Sequence, residues 1–227
     1  MQYYFLLFIT MHQKLNDVKG YLRDIKLSSI FSEENVTIIN DHACFKPRLF
    51  YKKRKKFITQ LKGLDGVLVG SAALSMYRVN DVEVFTRTTS DLDFVVSRDN
   101  FIKFCGMNNF KNVKYTNTVV SLNFHTGKDL GTDSYGHHRG HMFHTDFDVI
   151  GCDDPISYNV VGDLKVESFL SIINNKLKLA EDYLYKYDNS PSLGWNEKDN
   201  YKSQARKHID DLFEVITKIA ANEGIKA

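Results

Sequence analysis

Two short apolar segments of this 227-residue chain constrain its fold most strongly. Residues 66–79 read GVLVGSAALSMYRV, and residues 90–97 read SDLDFVVS. Short aliphatic and aromatic runs bounded by turn-forming residues are typical of buried strands. Gly70 closes the first of these strands, and a helix is predicted from Ser71 to about Val79. The two segments therefore predict a core that mixes strands and helices.

Strand and helix patterns alternate through most of the chain before Pro155. Strands are predicted in VTIIN, in VKYTNTVVSLNFHTG and in HMFHTDFDVIG, where apolar residues cluster or alternate with polar ones. Helices are predicted over residues 11–27, in RLFYKKRKKFITQLKG and from Asp99 onward. The segment DLGTDSYGHHRG, rich in glycine and polar residues, is predicted to be a loop.

The pattern changes after Pro155. Apolar residues recur at helical spacing over residues 163–187 and from about residue 201 to residue 222, with the polar segment DNSPSLGWNEKDN between them. The sequence therefore predicts the α/β (α+β) class, with a mixed twisted sheet flanked by helices. We expect an α/β domain over residues 1–155, including a helical extension over residues 1–30, and a C-terminal helical region over residues 156–227.

The composition is that of an ordinary globular protein. Apolar residues make up 43% and charged residues 26% of the chain, and the net charge of +2 is no general argument for nucleic acid. The three cysteines lie far apart without metal-ligand spacing, which favours reduced thiols and a cytoplasmic location. The apolar start MQYYFLLFIT is about half a membrane span long and has no cleavage site, so we expect no membrane partner.

The corner at Gly70 and Ser71 is a candidate phosphate site. The backbone N–H groups at the start of a helix are not used within the helix, and they attract anions. Gly70 has no side chain to keep a phosphate away from the backbone, and Ser71 adds a hydroxyl donor. A simple strand-to-helix turn would have the same two residues, so Gly70 and Ser71 predict a phosphate site only if metal-binding or charged side chains lie nearby.

Paired aspartates on apolar strands provide those groups. Asp91 and Asp93 stand two residues apart, so their side chains lie on the same face of the strand. Adjacent carboxylates repel each other unless a cation lies between them, and Mg²⁺ or Mn²⁺ uses such oxygens together with substrate phosphates. TDFDVIG offers Asp146 and Asp148 as a third ligand. We favour Asp148, because Phe147 and Val149 flank it within the apolar strand.

This combination resembles the polymerase-β-type nucleotidyltransferase superfamily. The matching residues are LVGSAAL, RTTSDLDFVV and FDVIG, and the pattern is most similar to the branch of abortive-infection AbiE toxins and minimal nucleotidyltransferases. That branch also carries a lysine on one later helix and a basic-Asp-x-x-Asp-Leu segment on the next. Here RKHIDDLFEVI supplies Lys207 and Asp211, with His208 in place of the first aspartate, and either Lys176 or Lys178 supplies the lysine.

The resemblance implies a function and a set of roles. The enzyme would move a nucleoside monophosphate from an NTP to an acceptor hydroxyl on tRNA or other RNA, a protein or a small molecule, and it would release pyrophosphate. Two Mg²⁺ or Mn²⁺ ions would be held by Asp91, Asp93 and Asp148. The nucleotide contacts would be Gly70, Ser71, Arg87, Lys176, Lys207 and Asp211. A toxin of this branch would also have an antitoxin partner.

Other readings of the same residues stay open. The chain could be a catalytically inactive nucleotide- or RNA-binding regulatory module with the same fold. Arg87 could contact triphosphate or balance the aspartates. The basic run at residues 52–56 could be a solvated helix face or could attract RNA. The histidines of residues 137–144 could bind Zn²⁺, contact a phosphate or face solvent.

Overall fold

In a computed structural model of the protein, the described part of the chain comprises residues 10–24, 36–38, 51–87, 89, 91–110, 119–122, 129–133, 147–189 and 195–222. Its helices are α1 (Met11–Asp24), α2 (Tyr51–Gly63), α3 (Gly70–Leu74), α4 (Arg98–Met107), α5 (Phe169–Asn189) and α6 (Trp195–Asn222). Its strands are β1 (Val36–Ile38), β2 (Val67–Val69), β3 (Tyr77–Val79), β4 (Val82–Glu83), β5 (Leu92–Val96), β6 (Val119–Leu122), β7 (Asp129–Asp133), β8 (Phe147–Gly151), β9 (Tyr158–Val161) and β10 (Leu164–Glu167). The predicted mixed α/β class is confirmed.

Seven strands form the main sheet, in the order β7-β6-β8-β5-β2-β10-β9. The fourth position belongs to β5, which runs parallel to β8 and antiparallel to β2. On β5, Leu92, Phe94 and Val96 are buried while the residues between them are half-buried. This period-2 pattern is the one read from the sequence, and it sends the aspartate of β5 to the face opposite the aromatic core.

Aromatic residues fill the core on the other face of the main sheet. The Phe94 and Phe147 rings stack with centroids 5.5 Å apart, and Phe57 of α2 lies edge-on to Phe104 of α4 at 5.6 Å. All four side chains are buried. Their burial fixes the two helices on the sheet, because each ring removes a large apolar area from water.

The described structure divides into two compact units. The helical unit contains Met1–Thr37, Tyr77–Thr86 and Phe169–Ala227, and the sheet unit contains Ile38–Met76 and Arg87–Ser168. We had expected one boundary near residue 155. The main sheet instead continues to the end of β10, and α1 and the β3–β4 hairpin group with the last two helices.

The helical unit is built on α1, α5 and α6. Its core contains Leu15, Ala180, Leu184, Ala205 and Ile209. Ion pairs join α1 to both other helices: His12 to Asp188 at 2.8 Å, Lys14 to Asp210 at 3.2 Å, and Lys19 to Glu181. The predicted apolar spacing of these helices is confirmed.

The helix predicted from Ser71 to about Val79 is wrong in its second half. Ser75 N–H donates to the carbonyl of Ser71 at 3.0 Å, Met76 N–H donates to that of Ala73 at 3.1 Å, and the helical hydrogen bonds stop there. The next residues form β3, where Tyr77 and Val79 are buried and the residue between them is half-buried. The apolar content of this segment fitted a helix, but in the structure the burial of its residues alternates as in a strand.

Three further boundaries differ from the sequence predictions. The helix predicted from Asp163 begins only at Phe169, because β10 pairs with β2 and β9 and extends the main sheet. Asp129–Asp133, expected to lie in a loop, forms β7 against β6. The last helix starts at Trp195 and not near residue 201.

Candidate functional site

The centre of the candidate site is a row of residues that crosses the main sheet. Asp93 of β5 stands opposite Asp148 of β8 on one side and opposite Val69 of β2 on the other. Paired residues on neighbouring strands lie at the same level and on the same sheet face, with strands about 4.8 Å apart. Asp93 and Asp148 are both half-buried, and the Oδ1 atom of Asp148 is buried. The sheet therefore places two carboxylates side by side.

Gly70 adjoins one member of this pair, Asp93. Its φ of +71° lies in the left-handed region that favours glycine, and the chain turns there from β2 into α3. A Cβ atom at position 70 would lie 2.9 Å from Oδ2 of Asp93. Any other residue would therefore strain the backbone and press on the carboxylate, so the glycine is required by the turn and by the close approach alike.

Ser71 and Arg87 meet beside the same corner. Nη2 of Arg87 donates to Oγ of Ser71 at 3.0 Å. The serine side chain is nearly buried, while the arginine is exposed. Since α3 is only five residues long, its dipole adds little, and the positive potential at the corner comes mainly from the guanidinium. The corner can therefore bind an anion through a cationic fork and a hydroxyl.

Asp91, the first aspartate of the predicted Asp-x-Asp pair, is not among the paired residues of β5. Asp91 precedes β5 directly and is half-buried, two residues before Asp93. Among the described residues no three or more His, Cys, Asp or Glu side chains form a group that could hold a metal ion. Asp146, the alternative ligand, lies outside the described residues, as do the histidines of residues 137–144.

The carboxylates in this row nevertheless fit a hard divalent cation. Asp93 and Asp148 offer only oxygen donors, and Asp93 lies against the corner suited to phosphate. Mg²⁺ commonly takes one or two carboxylates from the protein and completes its shell with water and substrate phosphates. The pair is therefore consistent with a cation that binds together with a nucleotide.

The three later residues of the predicted site belong to the helical unit. Nζ of Lys176 lies 2.7 Å from Oδ2 of Asp211, and their side chains are only 4% and 3% exposed. Lys207 is half-buried on α6. His208 stacks on Tyr183, with ring centroids 5.8 Å apart and planes 7° from parallel. The structure thus joins Lys176 to Asp211 and uses His208 in aromatic packing.

Sequence reasoning missed a contact just before Arg87. Within the helical unit, Thr86 donates from its backbone N–H and its hydroxyl to Oε1 of Glu214, at 2.8 and 2.7 Å. Lys218 donates to the same carboxylate oxygen at 2.9 Å. Burial raises the pKa of Glu214, but these hydrogen bonds outweigh it, so the pKa lies below its usual value. Only the i, i+4 spacing of Glu214 and Lys218 was visible in the sequence.

Sequence reasoning also missed Glu167, the last residue of β10. Val166 pairs with Leu68, so the following residue stands level with Val69 in the row that contains Asp93. The Glu167 side chain is only 2% exposed. Sequence reasoning could not place Glu167 in this row, because it predicted a helix over these residues and only a strand pairs with its neighbours across a sheet.

No family model, curated protein or solved structure matches this chain. None of the helices in the described part of the chain is both long and apolar enough to cross a membrane. The function must therefore be argued from the geometry of the site itself.

Proposed function

We propose that this protein is a metal-dependent nucleotidyltransferase, an enzyme that transfers a nucleoside monophosphate from an NTP to an acceptor hydroxyl. One observation carries the proposal. Asp93 and Asp148 stand in register on neighbouring parallel strands, and Asp93 lies directly beside Gly70. A carboxylate pair next to a phosphate-binding corner is what a reaction at a triphosphate requires.

The residues of the sheet unit divide the work. Gly70 leaves room for phosphate oxygens at the backbone, and Ser71 and Arg87 donate to the β- and γ-phosphates. The acceptor oxygen bonds to the α-phosphorus while the bond from that phosphorus to the bridging oxygen breaks, and pyrophosphate leaves. Asp148 accepts the proton of the acceptor hydroxyl. Mg²⁺ or Mn²⁺, held by Asp93 and Asp148 with Asp91 nearby, would neutralise the charge of the phosphates.

The helical unit enters the proposal on the resemblance alone. Lys176, Lys207 and Asp211 occupy the positions that resemble the nucleotide contacts of the family. Because Asp211 neutralises Lys176 in the interior, the two would act as one unit and not as a lone cation. A cytoplasmic location and an antitoxin partner belong to the same proposal.

A label-transfer assay tests the proposed function. The full chain is incubated with each α-labelled NTP, Mg²⁺ or Mn²⁺, and either total RNA or a protein extract. Asp93→Asn and Asp148→Asn should each lower label transfer more than about 100-fold. Asp154→Asn, on an exposed loop of the sheet unit, is the matched control and should keep full activity.

One observation favours an inactive nucleotide- or RNA-binding regulatory module as the second candidate. The described residues contain no three-carboxylate group. If every NTP binds with a measurable Kd but no acceptor is labelled with either metal, transfer is excluded and the regulatory module becomes the better reading. Loss of NTP binding in Arg87→Met would then define the same corner as its ligand site.

A further inference from the structure

The net positive charge of this chain comes from one helix. Helix α2, YKKRKKFITQLKG, contains six lysine and arginine residues and no acidic residue. Because the whole chain has a net charge of +2, the other 214 residues together carry −4. The helix α2 is therefore strongly basic, while the other residues of the chain are acidic on balance, and the overall net charge hides this difference.

The arrangement of these charges works against the helix. Five of the six basic residues occupy positions 52–56, in the first two turns, and the first turn has no acidic residue. Cations are unfavourable at the positive end of a helix dipole, and like charges three or four positions apart on a helix repel each other. An anionic partner along this half of the helix would remove both penalties.

The apolar side of α2 is already used within the sheet unit. Leu61 is fully buried, and the buried ring of Phe57 lies 5.6 Å from that of Phe104. A helix that inserts into a membrane surface needs a free apolar face, and the apolar face of α2 is buried in the core. Lys55 and Lys56 are exposed, and at the other end of α2 Lys62 donates to Asp163 at 2.6 Å.

We propose that the N-terminal half of α2, residues 51–56, binds the phosphate backbone of RNA. Contiguous cations with no interspersed polar or apolar residue give affinity without reading a sequence or a shape, which is how proteins contact phosphates. An acidic protein surface would instead call for apolar and hydrogen-bonding groups among the charges. The binding needs no enzymatic activity, and only the role of RNA as acceptor rests on the proposed function.

The salt dependence of RNA binding tests this inference. A labelled single-stranded oligoribonucleotide of mixed sequence is titrated with the full chain at several salt concentrations. Each phosphate contact contributes about 0.7 to the slope of log K against log salt, so Lys55→Gln/Lys56→Gln should reduce the slope by about 1.4. The control Lys198→Gln/Lys202→Gln removes the same charge from α6, where Lys202 is exposed and Lys198 is half-buried, and it should leave the slope unchanged.

Two further measurements separate the possible outcomes. Thermal unfolding of the variant at positions 55 and 56 should show a folded protein with a Tm near that of the unmodified chain, so that a reduced slope reports lost phosphate contacts and not unfolding. Asp93→Asn should bind the oligonucleotide as the unmodified chain does, so failure of the proposed catalysis does not affect this result. Three outcomes would overturn the proposal. The slope could be unchanged in the Lys55/Lys56 variant, the slope could fall equally in this variant and in the control, or the chain could bind anionic vesicles and not RNA.

Discussion

The carboxylate of Asp93 lies directly against the backbone of Gly70, so close that a Cβ atom at position 70 would fall 2.9 Å from its Oδ2 atom. The preceding residue, Val69, is the sheet partner of Asp93. The pairing of β2 with β5 and the turn into α3 therefore together produce the contact between Gly70 and Asp93. This contact links the two sequence motifs that first suggested a site, and it can be broken by a single methyl group.

Gly70→Ala should lower both stability and nucleotide binding. The left-handed φ costs a non-glycine residue roughly 1–2 kcal/mol, and the methyl group also displaces the Asp93 carboxylate. We expect a loss of about 1–3 kcal/mol in urea unfolding, together with weaker NTP binding in Mg²⁺. The control is Gly106→Ala inside α4, where the new Cβ atom would have no atom within 4 Å. Because alanine favours a helix more than glycine does, its free energy of unfolding should rise by up to about 1 kcal/mol. Equal behaviour of both variants would contradict this account.

The choice between two neighbouring aspartates can be decided by mutation. Asp148 stands opposite Asp93, so Asp148→Asn should abolish label transfer while Asp146→Asn keeps most of it. Thermal unfolding of both variants would show that any loss is local. Full transfer by Asp148→Asn with an inactive Asp146→Asn would mean that the register of β8 does not define the site.

Breaking the Lys176–Asp211 pair on one side should be strongly destabilising. Lys176→Met leaves a buried carboxylate without its cation and should cost about 3–5 kcal/mol, whereas Lys176→Met/Asp211→Leu should recover most of that loss. Lys14→Met is the control, because its pair with Asp210 is partly exposed and should be worth less than about 1 kcal/mol. Urea unfolding measures all three, and similar losses for the two single variants would refute the role of burial.

The lowered pKa of Glu214 predicts a pH dependence of stability. The folded state favours the carboxylate, so its contribution is complete above the ordinary value of 4.5 and is lost as the pH falls through the lowered folded pKa. The stability difference between the unmodified chain and Glu214→Gln should therefore be constant at neutral pH and shrink below about pH 4.5. Thermal unfolding between about pH 7 and about pH 3 measures it. A difference that grows in acid would contradict the direction of the shift.

Cys105 should resist thiol reagents in the folded protein. Burial raises its pKa from 9.0 to about 12, so at a given pH it has about 1000-fold less thiolate than an ordinary cysteine. Alkylation followed by peptide mass spectrometry should find Cys152, which is only half-buried, modified well before Cys105. Unfolding in urea should remove the difference, and equal rates without urea would show that the Cys105 site opens readily.

Local patterns in the sequence were sufficient to predict the strands and helices whose apolar residues recur at a clear strand or helix period. The alternation around Asp93 and Asp148 gave two strands with their acids on a single face of each, and the apolar spacing of α1, α5 and α6 gave the helices. The same patterns failed where a segment is short. Residues 77–79 and 164–167 are too few to show a period, and their conformation depends on the strands beside them.

The sequence by itself determined that this protein has a Gly-Ser corner, an Asp-x-Asp strand and a second acidic strand, because side-chain direction along a strand follows from the backbone alone. Only the tertiary structure decided that Asp93 faces Asp148 in register, that Gly70 touches Asp93, and that Arg87 reaches Ser71. These contacts join residues up to 55 positions apart in the sequence. Which strands become neighbours, and in which register, depends on packing the whole apolar face at once, and no local window contains that information.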